Sequence, residues 1–151
     1  MKKIAIIMLV VLICCAALSF TACGDKLKAN EIRITVNGKD FIAEIADTKA
    51  AKEFRNLLPI TLNMHSVNDR ELYEDIPNVS FTQQIDSDAT FEGDIVLRGD
   101  NRLTIFYAFA NTDNWTKIGK IKNDDINVFV NAVTQAVNNS SSKTVKVTIS
   151  K

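Results

Sequence analysis

The folded part of the chain opens with a pattern that fits a tight β-hairpin. Residues 31–36 and 39–45 each alternate between apolar and polar side chains, which is the period of a strand with one buried face. Asn37 and Gly38 separate them. An Asn-Gly pair favours a two-residue type I′ turn, because both central positions of that turn need a positive φ. Such a turn sets the register of three pairs on the two strands: Val36 with Lys39, Ile34 with Phe41, and Ile32 with Ala43.

Further short strands are predicted along the rest of the chain. Their apolar residues alternate or run continuously at 58–64, 79–82, 93–98, 103–109, 115–121 and 144–149. The polar stretch 65–75 has no clean period of two, and we interpret it as a connection between strands. Composition also predicts a loop at 83–90.

Two amphipathic helices complete the pattern. Asp47 or Thr48 can cap the first, and Pro59 prevents its continuation. Asn123 or Asp124 can cap the second, whose apolar residues recur at helical spacing over 126–137. Many short strands with only two helices predict a mainly β fold. We expect a closed antiparallel barrel, which leaves no strand edge exposed, with the helices covering its ends.

Several short motifs follow one another in order along the chain. They are Leu58-Pro59-Ile60-Thr61-Leu62-Asn63-Met64 with Asn68 and Glu71-Leu72-Tyr73 after it, Gly93-Asp94-Ile95-Val96-Leu97, Phe106-Tyr107, and Thr116-Lys117-Ile118-Gly119-Lys120-Ile121. This ordered set resembles the bacterial cyclophilin-like domain family over about residues 32–149. The resemblance implies a cyclophilin-like closed antiparallel barrel of eight strands capped by two α-helices, in a family whose members are typically of unknown activity.

The catalytic residues of true cyclophilins are not found in this chain. Those enzymes present an arginine from a His-Arg-Ile-Ile-Pro segment, whereas the one histidine here, His65, is followed by Ser66. Trp115 lies four residues before Gly119, too close for the tryptophan of the cyclophilin pattern. Catalysis on an X-Pro bond needs a placed donor that stabilises the twisted bond. We therefore assign no catalytic residue.

The N-terminus has the pattern of an export signal. Lys2 and Lys3 precede an apolar run over 4–18, and Phe20-Thr21-Ala22-Cys23 follows. The last four residues resemble a bacterial lipobox, although Phe20 stands where such boxes usually carry an aliphatic residue. This interpretation predicts a lipoprotein signal peptide over 1–22, lipid attachment (such as palmitate) at Cys23, a short tether over 23–30, and a barrel domain over 31–151.

Two other interpretations of this segment stay open. Residues 4–22 approach the roughly 20 apolar residues that cross a bilayer, so an uncleaved helix is one of them. Cleavage at an ordinary signal site near Ala16 and Ala17 is the other, and it would leave Cys23 as a free thiol.

Two or three acyl chains hold a protein durably on a membrane. The lipoprotein interpretation therefore predicts anchoring at the extracytoplasmic face of the cell membrane.

Charge and cysteine content exclude some classes of function. Cys14 and Cys15 lie within the predicted signal, so the mature chain keeps Cys23 alone and forms no internal disulfide. Loss of Lys2 and Lys3 takes the basic count from 18 to 16, against 18 acidic residues. This balance gives no reason to expect a nucleic acid as partner.

Six residues are candidates for ligand binding: His65, Asn68, Arg70, Tyr73, Tyr107 and Trp115. The first four share the polar segment, where a loop can carry function, although a solvated connection is the simpler explanation. Tyr107 and Trp115 offer aromatic area with a polar tip, and core packing competes with binding for both. No metal site or cofactor is predicted, because no Cys, His or spaced carboxylate pair accompanies His65.

Together the sequence supports one leading hypothesis and one rival. The leading hypothesis is a lipid-anchored, non-catalytic module that presents a groove to a peptide, an envelope protein or a small ligand. The rival is a divergent peptidyl-prolyl isomerase that helps exported proteins to fold. A structural partner of a neighbouring membrane complex is a third possibility.

Overall fold

The computed structural model describes residues 26–86 and 88–151. The predicted signal peptide and the lipid attachment site at Cys23 lie outside these residues. The elements, in chain order, are β1 (Glu31–Val36), β2 (Lys39–Ile45), α1 (Lys49–Asn56), β3 (Ile60–Val67), β4 (Glu71–Asp75), β5 (Asp94–Arg98), β6 (Arg102–Phe106), β7 (Trp115–Ile121), α2 (Ile126–Asn139) and β8 (Thr144–Ser150). A short 3-10 turn, Asn123–Asp125, leads into α2.

The eight strands close into one antiparallel barrel in the order β1-β2-β7-β5-β6-β4-β3-β8, and β8 pairs with β1 to complete the ring. This confirms the predicted mainly β fold with two helices. Closure satisfies the backbone groups of every strand edge, which an open sheet would leave exposed. The side chains that point into the barrel and the apolar faces of both helices form one continuous core.

The first hairpin has the predicted register. Val36 pairs with Lys39, Ile34 with Phe41, and Ile32 with Ala43. The turn residues Asn37 and Gly38 have φ values of 51° and 73°, as the type I′ turn requires. The apolar side chains of these pairs, Ile32, Ile34, Val36, Phe41 and Ala43, are buried, so the alternation in the sequence identifies the inner face of the barrel correctly.

Both helices bury one apolar face in the same core as the inward side chains of the barrel. α1 contacts β7, and α2 contacts β1 and β8. The Thr48 hydroxyl accepts a hydrogen bond from the Ala51 backbone N–H at 3.2 Å, which confirms Thr48 as the cap of α1. Phe129 of α2 packs edge-on against Phe41 of β2, with 5.4 Å between ring centroids. α2 begins after Asp125, which makes no side-chain cap bond, so the predicted cap at Asn123 or Asp124 is wrong.

The polar segment 65–75 is not a connecting loop, as we had expected from its sequence. It contains the end of β3, a turn with positive φ at Asn68 and Asp69, and all of β4. Ser66 pairs with Leu72, and the large apolar side chains that this hairpin buries are Met64 and Leu72. One buried apolar residue on each side of the turn is too few to show the alternation that identifies a strand in the sequence.

Two predicted strands also differ from the structure. Residues 79–82 form no strand: Phe81 donates its backbone N–H to Asp100 O at 2.9 Å, and Glu53 accepts from both the N–H and the hydroxyl of Thr82. β6 ends at Phe106 rather than at residue 109, because the chain turns there. The backbone N–H groups of Tyr107 and Ala108 both donate to Arg70 O.

Within the described residues, no helix is both long and apolar enough to cross a bilayer.

Candidate functional site

The outward side of β4, β6 and β5 carries a group of charged and aromatic side chains that we call the arginine face. Inward residues of these strands, such as Leu72, Ile105 and Leu97, are buried in the barrel core, so the alternate residues point outward. The strand pairings place eight side chains on this outer surface: Glu71, Tyr73 and Asp75 from β4, Arg102, Thr104 and Phe106 from β6, and Val96 and Arg98 from β5.

An ion pair crosses the middle of the arginine face. Arg98 Nη1 donates to Glu71 Oε1 at 3.3 Å, and the Glu71 side chain is 7% exposed. Arg98 lies opposite Arg102, and Glu71 lies opposite Phe106, so the pair spans β6 diagonally. The guanidinium carbon lies 5.5 Å from the centroid of the Phe106 ring. The ion pair therefore covers the strand position between them, which is Thr104.

Three buried polar atoms near this ion pair have no hydrogen-bond partner within the described residues. They are Glu71 Oε2, Arg98 Nε and Thr104 Oγ1, and Thr104 is fully buried. Buried polar groups in native proteins are almost always paired, so each such atom needs an explanation. An acceptor, a donor and a hydroxyl thus lie together beneath the centre of the arginine face.

Arg102 is held between an aromatic ring and a carboxylate. Its Nε and Nη2 donate to the two oxygens of Asp75 at 2.7 and 3.3 Å, and its guanidinium carbon lies 4.9 Å from the Tyr73 centroid. The hydrogen bond from Arg102 lowers the pKa of Asp75, and the same bond raises the pKa of Arg102. Stacking and a bidentate pair fix the guanidinium in one orientation.

A cavity opens where the two arginines meet. Arg98 and Arg102 are directly opposite each other across β5 and β6, and like charges in such a position repel. Arg98 pairs with Glu71, and Arg102 pairs with Asp75. The cavity of about 280 Å³ is bordered by both arginines, Asp75 and the turn at 99–101. The site therefore presents charged donors at an opening large enough for one or two amino-acid side chains.

Two of the six candidate residues from the sequence meet at the edge of this face. The rings of His65 and Tyr73 lie 5.9 Å apart between centroids. His65 Nε2 is 3.9 Å from Glu74 Oε2, and its Nδ1 is 3.3 Å from Thr144 Oγ1. Tyr73 belongs to the arginine face through Arg102, and His65 extends that face toward β8.

The other four candidates do not converge with them. Asn68 is in the β3–β4 turn, with φ 52°, and the backbone carbonyl of Arg70 accepts from the chain after β6. Tyr107 is buried, its hydroxyl lies 2.7 Å from Ser66 Oγ, and burial raises its pKa. Trp115 is also buried, but it lies beside the arginine face: it is opposite Arg98 and packs with Val96, Phe106 and Ala110. Its Nε1 donates to Asp88 O at 2.9 Å.

Sequence reasoning did not single out Arg98 and Arg102, although a signal for them was present. Both flank the predicted turn Gly99-Asp100-Asn101, and a hairpin with that turn brings its flanking residues side by side. The partner carboxylates were not predictable in the same way, since the 26 residues 76–101 separate β4 from β6 along the chain.

The arrangement suits binding by hydrogen bonds and charge. Ser66 is hydrogen bonded to Tyr107 rather than to His65, so the two sequence neighbours do not form a nucleophile and base. Among residues 26–86 and 88–151, no group of three or more His, Cys, Asp or Glu side chains is placed to hold a metal ion.

Larger cavities lie elsewhere on the barrel. One of about 520 Å³ lies between the end of α2, the β1–β2 turn and β8, and one of about 440 Å³ lies beside Lys120, Lys122 and Glu44. None of the residues that line them has an unpaired buried side-chain atom in the described part of the chain. The unmet hydrogen-bonding capacity of the arginine face distinguishes it from both.

Comparison with known proteins identifies the same architecture. A model of the Cyclophilin-like family matches residues 34–150. Among solved structures, the "Structure of McbB in complex with tryptophan" is similar, with a TM-score of 0.60 and 17% sequence identity over 80% of this chain and 44% of the McbB chain. The chain thus spans less than half the length of McbB, and at this identity the likeness shows the fold alone. No curated protein matches the sequence.

Proposed function

Because the chain belongs to the Cyclophilin-like family, we propose that it is a lipid-anchored extracytoplasmic module that binds a peptide or an envelope protein on the arginine face. The binding is non-catalytic. The N-terminal residues described above support the anchor: a basic start, an apolar run and a lipobox that ends at Cys23.

One observation carries the binding proposal. The accessible part of the arginine face combines guanidinium donors, Arg98 and Arg102, with a carboxylate acceptor, Asp75, whose side chains are 28%, 46% and 49% exposed. An extended peptide backbone supplies both N–H and C=O groups along its length, so it matches a surface that offers both acceptors and donors. Tyr73 and the stems of the two arginines add flat area on which a peptide side chain can pack.

The anchor is tested by intact mass. The full chain and the variant Cys23→Ser are expressed in a bacterial host and extracted from membranes with detergent. The intact mass of each protein is then measured by mass spectrometry. We expect a diacylglyceryl adduct on the wild-type protein and an unmodified variant that is released from the membrane. An unmodified wild-type protein, or one that keeps residues 1–22, would contradict the anchor.

Binding is tested by selection from a random peptide library. Peptides are selected on the detergent-solubilised full chain and then measured against Arg98→Met/Arg102→Met. We expect at least tenfold weaker binding by this double variant. The control variant Lys39→Met, at the exposed β1–β2 turn, should bind as the wild type does. A failure to select any peptide, or equal binding by the double variant, would refute a peptide site on this face.

The rival function, prolyl isomerisation, has one observation in its favour. Two guanidinium groups on the outer barrel surface are placed donors of the kind that could stabilise a twisted X-Pro bond. A protease-coupled isomerisation assay on the full chain separates the two proposals. We expect no rate above background. A measurable rate that is lost in Arg98→Met or Arg102→Met would establish the enzyme instead.

A further inference from the structure

Two short segments beside β7 form an ordered flap on the barrel. We define the flap as residues 88–92 and 108–114. The two segments are joined by paired backbone hydrogen bonds between Thr90 and Ala110, at 2.9 and 3.0 Å. The Trp115 indole beneath them donates to Asp88 O. Because several hydrogen bonds and a buried indole hold it, the flap presents its outer side chains in fixed positions.

The flap exposes a pair of aromatic rings. Phe91 is 50% exposed and Phe109 is 54% exposed, and they are two of only four large hydrophobic side chains that are exposed in the described residues. Their centroids lie 5.5 Å apart with the rings tilted by 58°. The pair therefore forms one apolar patch rather than two scattered side chains, and a clustered exposed patch of this kind marks an interaction surface.

The flap is also acidic. Its twelve positions include Asp88, Glu92 and Asp113 and no lysine or arginine. Two lysines of β7, Lys117 and Lys120, lie close to the flap. Both approach the buried Asp94, at 3.7 and 3.4 Å, and Lys120 also lies 5.8 Å from the Phe91 centroid. With these three residues included, the surface still carries a net charge of −2.

We propose that the flap docks a basic protein segment that carries an apolar anchor residue between lysines or arginines. Charge complementarity selects this partner over two others. An anionic bilayer would be repelled by the three carboxylates. A second copy that used the same flap would bring like charges together. The flap adjoins the arginine face, since Ala110 packs in one buried cluster with Val96 and Phe106. The inference rests on the exposed rings and the carboxylates of the flap, so it does not depend on the proposed peptide site.

The test uses three synthetic peptides and the full chain in detergent. Gly-Lys-Phe-Lys-Leu-Lys-Gly is the probe, Gly-Glu-Phe-Glu-Leu-Glu-Gly reverses its charge, and Gly-Lys-Ser-Lys-Ser-Lys-Gly removes its apolar side chains. Fluorescence of Trp115, the one tryptophan of the chain, reports binding from beneath the flap. We expect the probe to bind at least tenfold more tightly than either matched peptide.

Variants separate the two components of the surface. Phe91→Ser/Phe109→Ser should weaken probe binding at least tenfold, and the single variant Phe109→Ser should show a smaller loss in the same direction. Asp88→Asn/Glu92→Gln/Asp113→Asn should remove most of the salt dependence of binding. Val128→Ser, which alters an exposed apolar residue of α2, should bind like the wild type.

Three results would overturn the inference. One is equal binding of the basic and acidic peptides. Another is a probe affinity that the paired phenylalanine substitutions leave unchanged in variants that melt like the wild type. The third is self-association, seen by sedimentation, that disappears in Phe91→Ser/Phe109→Ser, since it would identify a second copy as the occupant.

Discussion

A buried carboxylate near the start of the barrel is stabilised by a single ion pair. Glu31, at the start of β1, is 4% exposed. Its Oε1 lies 2.6 Å from Lys122 Nζ, and its Oε2 accepts the backbone N–H of Lys28 at 2.9 Å. The hydrogen bond from Lys122 is the main cause that lowers the pKa of Glu31. This carboxylate ties residues 28–31 to the end of β7.

Glu31→Gln should therefore make the stability less dependent on pH. A carboxylate with a lowered folded pKa stabilises the fold above its ordinary pKa of about 4.3, and this contribution is lost as the pH falls through the folded value. We expect the variant to melt at a lower temperature than the wild type at pH 7. The difference in melting temperature between the two proteins should narrow below about pH 4. Thermal denaturation at pH 7 and below about pH 4 measures this difference, with Asp113→Asn as an exposed control.

Arg98 and Glu71 should show strong coupling in a double-mutant cycle. Arg98→Met leaves a buried carboxylate without its partner, so we expect a loss of about 2 kcal/mol in the free energy of unfolding. Arg98→Met/Glu71→Met should recover most of it, because both charges are then removed. Asp75→Asn is the control and should cost less than about 1 kcal/mol, because that pair is half exposed. Additive losses at Arg98 and Glu71 would refute the coupling.

At the scale of the elements, sequence patterns predicted those strands and helices whose buried face is marked by many apolar residues. The β1–β2 register, the bounds of β7 and the apolar stripe of α2 are confirmed. β4 was not predicted because Tyr73, Glu74 and Asp75 follow Leu72, so the segment shows no clear alternation of apolar and polar side chains. Residues 79–82 were taken for a strand because Val79 and Phe81 alternate, yet their contacts are with α1 and the β5–β6 turn.

The pairing of β2 with β7 depends on one glycine. Gly119 lies opposite Ile45, and a Cβ atom there would come within 2.4 Å of the Glu44 carbonyl oxygen. We expect Gly119→Ala to cost about 2 kcal/mol or more, because the two backbones must separate. Gly38→Asn is the matched control: its φ is +73° with open space around it, and asparagine tolerates that conformation. Chemical denaturation compares them, and equal losses would contradict the close approach.

At the scale of the whole molecule, the arginine face depends on the order of the strands around the barrel. Local patterns predict that Arg98 and Arg102 are neighbours across a turn. They do not predict that β4 lies on the far side of β6, which is what brings Glu71 and Asp75 to the two arginines. The site therefore forms only when the barrel closes, and sequence periodicity alone does not predict it.

Loss of β8 should open the barrel. β8 pairs with β1 on one side and with β3 on the other, so a chain that ends at residue 143 has two unsatisfied edges and an open core. We expect it to lose the near-ultraviolet circular dichroism of Trp115 and the slow exchange of amides in β1 and β3. Removal of Lys151 alone, outside the strand, should leave both signals intact. A native-like spectrum for the truncated chain would contradict this dependence.

The meeting of β1 with β8 also sets an order of events for a chain that is synthesised from its N-terminus. More than 100 residues separate Val36 from its partner Val147, so the first hairpin emerges and then waits. Until the last strand is released, the sheet has no way to become a ring, and pairing over so long a separation is slow. A protein built this way closes its sheet only after its last strand is available.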